Sequence, residues 1–211
     1  MKIRVVWLFA LAMVPAAALA SAASDSLVVI RGTIVRVSAN SLSLTAHDGS
    51  SIVVGLSPGM TVTDIIPTQL SAVKAGSYVG TAAVKEPDGQ YRAMELQVFP
   101  ESMRGVGLGT RPWSLTKTSS MTNGTVGSMT QTNGTVGNVG GDGNTELTVN
   151  DGSGVKTVLV PASVPVVTYE PGSTAELKPG AHIILFAQKD SDGHLTTSRV
   201  QVGKDGLTPP M

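Results

Sequence analysis

The chain says the same thing twice. VKAGSYVGTAAVKEPDGQYRAMELQV, from Val73 to Val98, aligns without a gap on LKPGAHIILFAQKDSDGHLTTSRVQV, from Leu177 to Val202. Lys74, Gly76, Ala83, Lys85, Asp88, Gly89, Gln97 and Val98 recur as Lys178, Gly180, Ala187, Lys189, Asp192, Gly193, Gln201 and Val202. Average residue usage gives roughly one or two such matches by chance. The match extends backwards. Leu44–Ser50 (LTAHDGS) answers Leu147–Ser153 (LTVNDGS) at an offset of 103 instead of 104. Gly32-Thr33-Ile34-Val35 answers Gly124-Thr125-Val126 or Gly134-Thr135-Val136. Two repeats result, roughly 27–100 and 121–206, and any fold proposed for one must accommodate the other.

Within each repeat the apolar residues alternate with polar ones at period two, as in Leu42-Ser43-Leu44-Thr45-Ala46 and Met94-Glu95-Leu96-Gln97-Val98. That is the pattern of half-buried strands, not of helices. Asp48-Gly49, Asp88-Gly89, Asp151-Gly152 and Asp192-Gly193 punctuate the runs, and Asp-Gly favours tight hairpins because glycine accepts positive φ. Only Pro67–Val73 and its counterpart Gly172–Leu177 invite a helical turn, and a loop or single turn before a strand is the simpler reading. A lone hairpin is marginal in water, whereas closing about five short strands into a barrel removes exposed edges. The expectation is an all-β chain of two small five-stranded OB-like β-barrels in tandem. The alternative is one continuous sandwich built from both repeats.

The expected divisions are a signal peptide at 1–20, barrel repeat 1 at 21–100, a Gly-rich connector at 101–120, and barrel repeat 2 at 121–211. The signal peptide is read from MKIRVVWLFALAMVPAAALA. Lys2 and Arg4 open it, Val5 to Val14 is apolar, and Ala18-Leu19-Ala20 fits a cleavage site between Ala20 and Ser21. Ten apolar residues are too few to cross a bilayer, which takes about 20. Cleavage removes two cations and no acids, leaving 13 Lys and Arg against 15 Asp and Glu. Such a balance does not favour electrostatic capture of nucleic acid or anionic membrane. Cysteine is absent, so the fold must rest on burial without disulfides, and there is no thiol nucleophile or redox pair. The segment from Pro100 to Asn144 holds 10 of the 24 glycines and carries TNGTVG twice, at 122–127 and 132–137. One copy is expected to start the second barrel and the other to lie in a flexible connector.

The repeated core Gly-Thr-Ile-Val … Asp-Gly … Lys-x-Gly … Asp-Gly … Val, the join PESMRGVGLGTRPWSL and the tail VGKDGLTPPM resemble a family of bacterial periplasmic proteins built from tandem OB-like β-barrel repeats. The resemblance covers nearly the whole mature chain. It implies a fold and a periplasmic address, but it brings no activity and no residue roles. Some members carry a metal ABC transporter permease label, which a chain without spanning helices does not fit.

Candidate chemistry is sparse. His47-Asp48 and Asp192-Gly193-His194 sit at hairpin turns and form the candidate metal ligands His47, Asp48, Asp192 and His194, although turns favour Asp in any case. Asp142, Asn144 and Glu146 alternate like calcium ligands but miss the EF-hand spacing. Gly105-Val106-Gly107-Leu108-Gly109 has no helix after it to make a phosphate loop. No G-x-S-x-G elbow or register of Ser, His and acid points to catalysis. Arg104, Arg111 and Trp113 are the candidate ligand-binding residues, since Arg and Trp are enriched at hot spots. A structural role, Trp113 capping a barrel with the arginines paired, is the competing reading. The aromatic residues are too few to make a platform for stacking single-stranded nucleic acid. The sequence thus points to a non-enzymatic binding or structural module of the cell envelope. It would need no cofactor and would meet an envelope protein or small ligand. The alternative is a periplasmic metal-ion-binding accessory linked to metal transport.

Overall fold

In the computed structural model the described residues are 26–132 and 143–210. They form twelve strands and four single turns of 3-10 helix. The strands are β1 (Ser26–Ser38), β2 (Ser41–Ala46), β3 (Ser51–Pro67), β4 (Tyr78–Lys85), β5 (Tyr91–Val98), β6 (Gly109–Pro112), β7 (Ser119–Thr132), β8 (Asn144–Asn150), β9 (Val155–Val160), β10 (Val166–Pro171), β11 (His182–Lys189) and β12 (Leu195–Gly203). The all-β expectation holds. The expected signal peptide, its Ala20–Ser21 junction and most of the second TNGTVG copy lie outside the described residues. No helix among the described residues is long and apolar enough to cross a membrane.

The pairings do not follow the repeats. Strands β1, β2, β3, β12 and β11 close one barrel, with β12 parallel to β3 and β1 antiparallel to both β2 and β11. Thus β1–β3 come from the first repeat and β11–β12 from the second. The remaining circuit is the mirror arrangement. Strands β7, β8 and β9 of the second repeat are joined by β4 and β5 of the first, and the short parallel contact of Tyr91 and Arg92 with Val158 and Leu159 closes it. Two barrels in series, with 21–100 forming one and 121–211 the other, are therefore not what the strands build. Each repeat gives its last hairpin to the other's first three strands.

The exchange is reciprocal in detail. Ile34 and its counterpart Val126 each receive the other repeat's Lys-x-Gly turn. Ile34 N–H donates to Ala181 O and accepts at its own carbonyl from Gly180 N, while Val126 does the same with Ser77 and Gly76. Both strands bulge directly afterwards, between Ile34 and Arg36 and between Val126 and Ser128. The local twofold axis runs through the antiparallel pair β3–β10, where Ile65 faces Tyr169, 104 residues further on. Equivalent residues facing each other is what an isologous contact requires. Gly32 and Gly124 identify the correct copy of the Gly-Thr motif. A Cβ at Gly32 would strike the Thr45 carbonyl and one at Gly124 the Asn150 carbonyl, so both strands demand glycine at the same close approach.

Each barrel is filled by alternate strand residues. Ile34, Leu42, Leu44, Val54, Ile183 and Leu185 pack in the first, and Val79, Leu96, Val126, Leu147, Val149 and Val158 in the second. Complete burial of such a side chain stabilises by about 1.5–3 kcal/mol. A third cluster welds the barrels together. Tyr78, Phe99, Trp113, Met121, Tyr169 and Ile184 meet there, with Phe99 stacked on Tyr169 at 5.3 Å.

Candidate functional site

The twofold relation places one face of each barrel in register with the other, and the two faces are finished differently. On the second barrel, Tyr78 stands opposite Thr125, and Asn123 stands opposite Gly80. On the first, His182 stands opposite Thr33, and Arg31 opposite Ile184. Tyr78 and His182 are therefore equivalent, as are Asn123 and Arg31.

The second barrel's face is covered by the connector. The Tyr78 hydroxyl and the Asn123 amide both donate to the Val106 carbonyl, at 3.1 and 3.0 Å. Leu108 packs over Gly152. Thr110 donates to the buried carboxylate of Asp151 at 2.6 Å. Burial would raise the Asp151 pKa, but the hydrogen bonds from Thr110 and Ser153 and the nearby Lys156 outweigh it and hold the group well below the usual carboxylate range. Strand β6 then runs antiparallel along β7, Gly109 opposite Asn123 and Pro112 opposite Ser120.

The first barrel's face is open. A groove of about 600 Å³ runs along Val28 to Thr33, past His182 and the β2–β3 turn, and is walled by Ser114–Leu115 and the C-terminal residues Thr208–Pro210. Arg31 is the charged side chain in its floor. Its guanidinium lies 5.1 Å from the Trp113 ring centre and donates to Ser114 Oγ at 2.8 Å. Desolvation lowers its pKa and the Glu95 carboxylate opposes that. Thr33 Oγ1 and His182 Nδ1 are 3.1 Å apart. A second cavity of about 450 Å³, on the far side of Thr208 and Pro210, is lined by Leu70, Val164 and Val167 among others and has no charged wall.

Behind Arg31 lies a buried polar chain. Tyr169 donates to Gln97, and Gln97 Nε2 donates to Glu95 Oε1 at 2.7 Å. Glu95 is wholly buried, and its Oε2 has no hydrogen-bond partner among the described residues. Burial pushes the Glu95 carboxyl up to about 7, against the pull of Gln97 and Arg31.

The residues singled out in the sequence are distributed otherwise than expected. Arg104 donates to Glu101 Oε2 at 2.8 Å and to the Gly76 carbonyl at 2.9 Å, over the Tyr78 ring. Arg111 donates to the Gly107 carbonyl at 2.8 Å and also lies over the Trp113 ring, 5.6 Å from its centre. Trp113 is buried in the seam. The three hold the connector to the barrels, so the patch foreseen at 104–113 is largely spent on internal contacts. His47 and Asp48 border the groove, whereas Asp192 and His194 belong to the β11–β12 turn, where Asp190 accepts from the His194 and Asp192 amides. Lys189, just before that turn, faces Ser26 at the start of β1, while His47 N–H bonds Arg31 O five residues along. At about 3.3 Å per residue the two turns stand some 16 Å apart along the strand. Among the described residues no group of three or more His, Asp or Glu side chains is placed to hold a metal. The LTxxDGS match is also shifted. Thr33 faces Thr45, but its counterpart Thr125 faces Asn150, two residues beyond the aligned Thr148. Asp48 is consequently exposed and Asp151 buried.

Arg31 and His182 were not among the candidate residues read from the sequence. Their signal was the repeat itself: His182 stands over Tyr78 in the gapless alignment, and in the separate Gly-Thr match Arg31-Gly-Thr stands over Asn123-Gly-Thr. Comparison with family models, with curated proteins and with solved structures finds no match to this chain.

Proposed function

We propose that the protein is a non-enzymatic binding module, exported to the bacterial periplasm, whose binding surface is the open groove on the first barrel. One observation carries the reading. The equivalent face of the second barrel is a docking surface already occupied, by residues 104–112 of the chain itself. The groove offers the same strand geometry with a stronger set of donors, Arg31 and His182 in place of Asn123 and Tyr78. A cavity of several hundred cubic ångströms with an apolar floor and a few convergent polar groups is the usual form of a ligand site. The fully buried Glu95 stands behind Arg31 instead of facing the groove.

Native mass spectrometry of the mature protein taken from the periplasm, with metal analysis alongside, tests this. The expected result is an adduct that disappears when the groove is filled by Thr33→Trp. An adduct retained by that variant, whether a stoichiometric metal or another partner, contradicts the assignment and places binding elsewhere.

A further inference from the structure

Strand β7 has a second claimant for its place. The hexapeptide at 122–127 recurs without change at 132–137, ten residues on, and most of that copy lies outside the described residues. The place itself is exacting. The Thr122 and Asn123 side chains are buried. Thr122 Oγ1 lies 2.9 Å from Thr110 Oγ1, and the Asn123 amide donates to the Val106 carbonyl. A Cβ at position 124 would strike the Asn150 carbonyl, so only glycine fits. Val126 is buried in the second barrel and bonds the Gly76–Ser77 turn through both of its backbone groups. The second copy has the same residue at every one of these positions. A shift of ten is even, so it leaves each side chain on its own face of the sheet.

Two further observations favour a second register. Gly32 precedes Leu44 of the first repeat by twelve residues, whereas Gly134 precedes Leu147 by thirteen and Gly124 precedes it by twenty-three. The second copy keeps the spacing of the first repeat, and the copy that β7 uses does not. Strands β7 and β8 part after Thr132 and Asn144, leaving 133–143 between them. Shifted by ten, Gly141 would face Thr145, and the connection would shrink to Asp142-Gly143-Asn144. That is a three-residue hairpin centred on glycine. It carries the Asp-Gly pair that also turns β2 into β3, β4 into β5, β8 into β9 and β11 into β12. What holds β7 to the first copy lies just before it. Met121 is buried in the seam opposite Ala82, and Ser119 Oγ donates to the Trp113 carbonyl at 2.7 Å. The shift puts Gln131 and Met129 in their places. Exchanging a buried Met side chain for an amide weights the first register by roughly a hundredfold or more.

We propose that β7 is a two-register strand: it slips by ten residues, so that 132–137 takes the place of 122–127 against β4, β6 and β8 in a minor state of the folded protein. The exchange moves slack along the chain. Ten residues leave the β7–β8 connection and join the turn between β6 and β7, which in the major register holds only 113–118. Ser114 and Leu115 of that turn wall the groove on the first barrel. The slipped register therefore releases this wall from its anchor at Ser119, while the hairpins that close the two barrels keep their places. The switch stands whether or not the groove is the binding surface.

The chain has no cysteine, so engineered pairs report the register in the full mature protein. Thr81 faces Thr122, within reach of a disulfide. Thr132 lies ten residues, about 33 Å, further along β7. Thr81→Cys is combined in turn with Thr122→Cys, Thr132→Cys and Thr130→Cys, each protein is oxidised from the reduced state, and the bonds are mapped by mass spectrometry. The expected result is a rapid 81–122 disulfide and a slower 81–132 disulfide. The 81–130 disulfide should form at least tenfold more slowly again, since a slip of eight matches no copy. Gln131→Met should speed the 81–132 bond at least tenfold. Equal trapping of 81–132 and 81–130 would mark general opening and overturn the proposal. A second measurement needs no cysteine. Gly124→Val bars the first register and Gly134→Val the second. Gly124→Val should keep a cooperative melt at a lower temperature, Gly134→Val should melt as the parent does, and the double variant should lose the transition. If Gly124→Val and the double variant behave alike, the strand has a single register and the proposal fails.

Discussion

The two barrels share a strand plan and differ at one face. On the second, Tyr78, Asn123 and Asp151 each hydrogen-bond to the connector. On the first, His182, Arg31 and Asp48 border open space. Duplication alone makes two equal surfaces. The difference arises because the chain has only one segment between β5 and β7, and it lies over the barrel to which β5 and β7 belong. The covered face shows what the open one can hold.

The comparison depends on the hairpin exchange, and breaking the exchange has the largest expected effect. Residues 21–100 alone lack the strands that close β1–β3, and residues 101–211 alone lack those that close β7–β9. Each fragment by itself should give a circular dichroism spectrum without a cooperative melt. Mixing the two should restore one. A cooperative melt of 21–100 alone would restore the model of two independent barrels.

The seam behind the open face supplies the next effect. Glu95 occupies the position of Arg199 in the other repeat, yet Glu95 is wholly buried and Arg199 is exposed. Its folded pKa of about 7 stands above the ordinary 4.5. An acid whose pKa rises on folding favours the folded state only while protonated. Its contribution is whole below pH 4.5 and is lost as the pH climbs through 7. The loss amounts to roughly 3 kcal/mol. Glu95→Gln should therefore melt higher than the parent at pH 8, and the two should converge near pH 4.5. Parallel melting curves across that range would show that Glu95 does not titrate between the barrels.

A smaller effect sharpens the covered face. Tyr78→Phe removes one of two donors to the Val106 carbonyl. The change should cost about 1 kcal/mol in chemical denaturation and speed amide exchange at 105–110 while leaving 182–184 unchanged.

Much of this was legible in the residues. Alternation at Leu42–Ala46 and Met94–Val98, the Asp-Gly turns and the Lys-x-Gly turns located the strands and their hairpins. Partner choice was not legible, because the two closing hairpins share one strand pattern and the same Lys-x-Gly and Asp-Gly turns. What decides is delivery. Strand β3 runs 17 residues from Ser51 to Pro67, through Ser57-Pro58-Gly59, and carries the chain out of its own barrel to pair with β10. In the second repeat Pro161 and Pro165 divide the same path into β9 and β10. Read locally, Ser-Pro-Gly looks like a break, and only the tertiary pairing overrides it. The groove was hidden for a related reason. Arg31 and His182 lie 151 residues apart, and only the exchanged hairpin brings them to one face.

The central claim is that equivalent edges of β1 and β7 differ in occupancy: among the described residues β7 is paired with β6 at Met121, while Val29 of β1 has no partner on the corresponding side. Residue-resolved hydrogen exchange on the unliganded full-length protein measures this directly. Met121 should exchange slowly behind β6, and its counterpart Val29 should exchange orders of magnitude faster. Equal protection of Val29 and Met121 would contradict the account, since the first barrel's edge would then be covered as the second's is.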